Sequence, residues 1–150
     1  MKPTETAPDF ELPDQFGTLR RLSTMLENGP VALFFYPVAS SGGCTKEMCA
    51  VRDRTPEFRA VGAQPVGISR DPVAAQLRFA ETEGLDFPLL SDADGAVCDA
   101  YGVSRSLSGA PVKRHTVIIG TDGRVTDVVR SEFRFTRHAG RALEAVTPAG

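Results

Sequence analysis

The residues most able to do chemistry lie in one segment, Phe35-Tyr36-Pro37-Val38-Ala39-Ser40-Ser41-Gly42-Gly43-Cys44-Thr45-Lys46-Glu47-Met48-Cys49. An apolar run ends there and a helix-favouring stretch begins, which is where open α/β sheets place their sites. A cysteine in the first turn of a helix meets the positive end of the dipole and unpaired backbone N–H groups, and both favour thiolate over thiol. Gly42-Gly43 lets the backbone approach a small ligand closely, Ser41 offers a hydroxyl, and Cys49 supplies a second thiol. The chemistry this allows is nucleophilic attack by the Cys44 thiolate. Taken out of context, Cys44 would read as a small buried apolar residue; its position at a glycine-preceded helix start argues otherwise.

The elements that must hold this segment follow from pattern. Val31 to Tyr36, bounded by Gly29-Pro30 and Pro37, suits a central strand buried on both faces. Thr45 to Val51 favours helix, and Thr55-Pro56-Glu57 looks like a cap with proline in the first turn. Gln64 to Ser69 reads as a second strand, and Asp71-Pro72 opens a helix to about Glu83 that stops at Gly84. Phe87 to Leu90 is extended, and Asp92 to Gly95 is a turn before a helix ending at Tyr101-Gly102. A loop from about Ser104 to Lys113 precedes Thr116 to Ile119 and Arg124 to Arg130, two strands joined by Thr121-Asp122-Gly123. Thr136 starts a last helix. At the other end, Phe10 to Leu12 and Thr18 to Arg20 around Asp14-Gln15-Phe16-Gly17 suggest a hairpin, with Ser23 capping a short helix that ends near Asn28-Gly29. This order predicts an α/β fold in one domain spanning residues 1–150, with a central mixed β-sheet flanked by helices.

Bulk properties narrow the function classes. The 150 residues are 41% hydrophobic and 24% charged, an ordinary globular balance. A net charge of -2 gives no general attraction to nucleic acid or anionic membranes. The first eight residues carry acid and proline where a signal peptide needs an apolar run, and Val31 to Ala39 is too short for a membrane span. A cytoplasmic protein is expected. Three cysteines in a reducing compartment start as thiols, so chemical use is favoured over structural use.

Pro37, Ser41 and Cys44 match the signature of the peroxiredoxin family, a proline, three residues, threonine or serine, two residues, then the peroxidatic cysteine. Phe35-Tyr36-Pro37 before it and Cys44-Thr45-Lys46-Glu47 with Cys49 and Val51-Arg52-Asp53 after it resemble the PrxQ subgroup, also called bacterioferritin comigratory protein. The resemblance extends through Ala7-Pro8-Asp9-Phe10, Leu12-Pro13-Asp14, Gly67-Ile68-Ser69, Phe87 to Asp92 and Tyr101-Gly102-Val103. It implies a thioredoxin-like fold and a thiol-dependent peroxidase acting on hydrogen peroxide and organic hydroperoxides, recycled by thioredoxin or a similar dithiol. It implies no cofactor and no metal, and a monomer.

The resemblance also implies roles. The Ser41 hydroxyl, the Cys44 N–H and Arg114 would hold the peroxide, and Arg114 has the physical task of stabilising the thiolate and the charge on the leaving oxygen. Glu47, three residues after Cys44 on one helical face, could orient that arginine or simply complement the helix dipole. Pro37 would shield the thiolate, or merely end the strand. Oxidised Cys44 is a sulfenic acid that a second thiol must capture. Cys49 is the expected resolving cysteine, but on an ideal helix its Cα lies roughly 8 to 9 Å from that of Cys44, beyond the disulfide limit of about 7 Å. The bond therefore requires the first helical turns to unwind. Cys98 reads as a buried apolar residue and is the alternative resolver. The departures are Ser41 for the commoner threonine, Gly42 where proline is frequent, and His115 and Gly120 near the arginine strand.

Other readings use the same residues. A thioredoxin-like dithiol oxidoreductase would need two residues between its cysteines, whereas Cys44 and Cys49 enclose four. A metal-binding module built from the cysteines with His115 or His138 lacks paired ligand spacing. A redox sensor using the same oxidation is compatible with the sequence.

Overall fold

The apolar run places the first strand of the sheet at its centre. In the computed structural model, which describes residues 2–39, 42–104, 112–130 and 137–147, every residue of β3 (Val31–Phe35) is fully buried. A strand buried on both faces must be covered on both, and the alternation of its side chains shows how. Val31, Leu33 and Phe35 join one core layer, with Val66, Ile68, Val117, Ile119, Cys98 and Tyr101. Ala32 and Phe34, with Tyr36 just beyond the strand, join the other, with Cys44, Met48, Phe58, Phe79, Ala139 and Ala142.

The N-terminal hairpin pairs β1 (Glu11–Pro13) with β2 (Leu19–Arg21). Its turn is held by the buried Asp14 carboxylate, which accepts from the N–H groups of Phe16 and Thr18 and from Arg20 Nε. A short helix α1 (Leu22–Met25) runs into a single 3-10 turn, Leu26–Asn28. After β3 come α2 (Gly42–Asp53), α3 (Thr55–Ala60), β4 (Gln64–Ser69), α4 (Val73–Glu83), β5 (Leu89–Ser91), α5 (Ala96–Ala100), β6 (His115–Ile119), β7 (Val125–Arg130) and α6 (Arg137–Val146). The sheet order is β5-β4-β3-β6-β7, parallel from β5 to β3 and antiparallel from β3 to β7. This is the α/β mixed sheet with helical cover that the element order predicts, and it places the strand-to-helix junction after β3 at the middle of the sheet. No helix among the described residues is long and apolar enough to cross a membrane.

Two expected caps take other forms. Ser23 does not cap α1: its N–H and hydroxyl both donate to the carboxylate of Asp9, fourteen residues earlier, so the acid across the hairpin satisfies the helix start. Thr55 does not cap α3 either. Its Oγ1 donates back to the carbonyl of Val51, satisfying the end of α2, and Arg54 occupies the cap position. Asp92, by contrast, accepts from the N–H groups of Val97 and Cys98 at the start of α5. The edge strand β5 is covered in part by Gln15, whose amide accepts from Leu89 N–H and donates to the carbonyl of Phe87.

Gly67 leaves β4 bare where it runs alongside β3. A Cβ at Gly67 would lie 2.8 Å from Leu89 Cδ2 and 3.1 Å from Tyr36 Cε1, so the bare backbone is what lets the Tyr36 ring lie down against β4.

Candidate active site

Helix α2 begins at Gly42, which puts Cys44 in its first turn. Its buried residues are Cys44, Glu47, Met48 and Val51, spaced as a single stripe of the helix. A carboxylate in that stripe would be costly without a partner. Arg114, placed by the chain immediately before β6, provides it: its Nη1 donates to Glu47 Oε1, and its Nη2 lies 3.3 Å from Cys44 Sγ. Both charged groups are almost wholly removed from solvent, with Arg114 only 4% and Glu47 0% exposed. Burial alone would lower the pKa of Arg114, but the Glu47 carboxylate and the Cys44 sulfur outweigh it and hold the guanidinium above its usual range. A permanent cation is thus aimed at the sulfur from a low-dielectric site, where its effect on developing negative charge is largest.

The structure therefore brings together Cys44, Glu47 and Arg114, three residues the sequence singles out. Pro37 is buried two residues beyond the end of β3. Ser41 lies outside the described residues. Cys49 is on α2 but on another face of it, half-buried, with its thiol 3.4 Å from Glu83 Oε2 on α4. All three cysteines are free thiols, and Cys98 lies fully buried in the core layer on the far side of the sheet from Cys44. The cysteines do not converge, and among the described residues no group of three or more His, Cys, Asp or Glu side chains could hold a metal ion.

One set of supporting residues escapes a reading of sequence alone. Asp71 Oδ2 accepts from the N–H of Ala39, in the loop leading to Cys44, at 2.8 Å, and from Ser69 Oγ at 2.6 Å. Gln76, fully buried on α4, donates to Ser69 Oγ and to the carbonyl of Leu90 and accepts from the Tyr36 hydroxyl. Burial pushes the Tyr36 phenol well above its usual range, so it remains a donor. This chain of hydrogen bonds ties the loop after β3 to the ends of β4 and β5. Its only visible trace in the sequence is polar residues where the strand and helix patterns call for apolar ones, Ser69 and Gln76. A second buried pair, Thr116 Oγ1 with His138 Nδ1 at 2.7 Å, joins β6 to α6 on the same side of the sheet as Cys44.

Several known proteins are similar to this chain over most of its length. The model of the AhpC/TSA family matches residues 3–128. The crystal structure of peroxidoxin BcpB from Mycobacterium tuberculosis superposes with a TM-score of 0.93 at 55% identity, covering 97% of this chain and 96% of that one. Peroxiredoxin Bcp of Escherichia coli is 37% identical over 143 residues, 92% of this chain and 90% of its own. A bacterioferritin comigratory protein of Xanthomonas campestris, solved in intermediate and ligand complexes bearing on its alkyl peroxide reduction, superposes with a TM-score of 0.85 at 29% identity over 97% of this chain and 94% of that one.

Proposed function

The chain belongs to the AhpC/TSA family, among the peroxiredoxins of the PrxQ and bacterioferritin comigratory protein kind, and from that premise we propose a residue-level mechanism for its thiol peroxidase activity. The observation that carries it is the Arg114 guanidinium poised on Cys44 Sγ and fixed from behind by Glu47.

The Cys44 thiolate attacks the terminal oxygen of a hydroperoxide. The S–O bond forms as the O–O bond breaks, and the remaining oxygen leaves as alcohol or water after taking a proton. Arg114 stabilises the thiolate before attack and the negative charge on the departing oxygen during it. Glu47 holds the guanidinium fork in place, a task for which lysine would be a poor substitute. The Ser41 hydroxyl and the Cys44 N–H position the peroxide, and Pro37 shields the sulfur from water. Hydrogen peroxide and alkyl hydroperoxides are the substrate class.

The product is Cys44 sulfenic acid, which Cys49 resolves. Sulfur attacks sulfur, the S–O bond breaks, and water leaves as the disulfide forms. Helical geometry forbids this bond while α2 is wound, so the first turns open in each cycle. A thioredoxin-type dithiol then reduces the disulfide. The reading takes the protein as a cytoplasmic monomer that needs no cofactor.

Peroxide consumption by the purified protein with a dithiol reductant tests the proposal. Turnover is expected in the wild type and none in Cys44→Ser; full activity in that variant would overturn the assignment.

A further inference from the structure

Cys49 is not idle in the wound helix. Its Sγ is 3.4 Å from the carboxylate Oε2 of Glu83, the last residue of α4. Arg52, one turn further along α2, donates Nη1 to the backbone carbonyl of the same Glu83 at 2.6 Å. The second half of α2 is therefore fastened to the end of α4 at two points, and only one of them uses the carboxylate. We propose that Glu83 is a latch on the resolving thiol, holding Cys49 against α4 until Cys44 has been oxidised and setting how fast the disulfide then forms. The inference rests on Cys49 as the resolving cysteine.

The chemistry of the contact explains why it acts as a latch. A carboxylate accepts a hydrogen bond from a thiol and repels a thiolate, so the contact exists only while Cys49 keeps its proton. Burial and the Glu83 hydrogen bond push the Cys49 thiol up, the Glu83 and Asp53 charges act in the same direction, and Arg52 opposes them. Cys49 is thus kept in the less nucleophilic form and on a face of α2 turned away from Cys44. For resolution the thiol must leave Glu83 as the helix unwinds. Its sulfur then bonds to Cys44 sulfur, and its proton leaves with the hydroxide of the sulfenic acid as water. No reactant beyond the peroxide already consumed is needed. The latch favours the intact helix in which Cys44 meets peroxide, and it lengthens the life of the sulfenic acid.

Glu83→Met in the full chain tests this. Methionine approximates the length of glutamate without its oxygen acceptors, and the Arg52 bond to the backbone at position 83 is untouched, so α2 stays docked. After rapid mixing with one equivalent of hydrogen peroxide, Cys44 oxidation should proceed at the wild-type rate and the following disulfide step should accelerate about three- to tenfold, the worth of one ordinary intramolecular hydrogen bond. In a Cys44→Ser background, the pH midpoint for iodoacetamide alkylation of Cys49 should fall when Glu83→Met is added. An unchanged or slower disulfide step overturns the latch whatever the midpoint does. A faster step with an unmoved midpoint would trace to loosened packing and overturns it equally. Cys49→Ser separates the premise: a disulfide that still forms in that variant removes Cys49 as resolver, whereas its loss leaves the Glu83 result to judge the latch alone.

Discussion

Cys44 and Cys98 lie on opposite faces of one sheet. Phe34 packs in the layer that holds Cys44 and its chain neighbour Phe35 in the layer that holds Cys98, so the hydrogen-bonded backbone of β3 runs between the two core layers. A disulfide between them would require the sheet to come apart. Bonding Cys44 to Cys49 requires only helical turns to open, a local event that costs far less than global unfolding. Peptide mapping after one equivalent of peroxide is therefore expected to return a Cys44 to Cys49 link, and Cys98→Ala to turn over peroxide as the wild type does. A Cys44 to Cys98 link would reassign the resolver and imply a much larger rearrangement.

Replacing Arg114 by lysine keeps a charge but loses the fork that reaches Glu47 and Cys44 together. The rate of Cys44 oxidation by peroxide should fall about 10²-fold, the loss typical of a donor aimed at developing charge. Glu47→Gln keeps the cation and slackens its hold, so a smaller loss of about tenfold is expected. Because it neutralises the carboxylate paired with a buried guanidinium, Glu47→Gln should also destabilise the fold by about 3 kcal/mol. Stopped-flow oxidation and urea unfolding measure the two effects. Equal rates for wild type and Arg114→Lys would remove the arginine from the reaction.

Much of this is legible in the sequence. β3 was readable because a strand buried on both faces is continuously apolar and is bounded here by Gly29-Pro30 and Pro37. The order of strands and helices, and the placing of Cys44 in a first helical turn, followed from equally local signals. Which partner a capping residue takes is not legible: Ser23 and Thr55 have the right chemistry for capping, but the Asp9 carboxylate and the Val51 carbonyl compete for them. The Asp71 network was hidden for the same reason. Asp71 reads as the opening of α4, and only the sheet brings it to Ala39. Arg114 was one cation among 17 lysines and arginines, and family resemblance rather than spacing separated it from the rest.

Asp71 should matter to rate although it touches no reacting atom. Asp71→Ala strips the Ala39 N–H and the Ser69 hydroxyl of their acceptor, slackening the loop that carries Pro37 and leads to Cys44. Oxidation of Cys44 is expected to slow about tenfold, in line with the 1 to 3 kcal/mol cost of leaving buried polar groups unpaired. Asp71→Asn, which retains an acceptor oxygen, should recover most of the rate, and alkylation of Cys49 should be indifferent to both changes. An unaltered oxidation rate in Asp71→Ala would show that the loop is held by other contacts.

Alkaline pH isolates the structural role of Cys98. Burial, and then its hydrogen bond to Asp92, raise the Cys98 thiol far above the ordinary 9.0. Above about pH 9 the unfolded chain releases this proton while the folded chain keeps it, so the folded state binds more protons and stability falls with rising pH by about 1.4 kcal/mol per unit. The stabilisation is complete below pH 9 and is lost on the way up to the folded-state value. Tyr36 and Tyr101 are raised in the same sense, but their unfolded reference is 10.0, so between pH 9 and 10 cysteine ionisation dominates. Cys98→Ala should therefore unfold at lower urea at pH 7, where it lacks only the packed side chain, and lose stability more slowly than the wild type from pH 9 to 10. Parallel stability curves for the two proteins would mean that Cys98 ionises as readily in the folded state as in the unfolded one, against its place in the core.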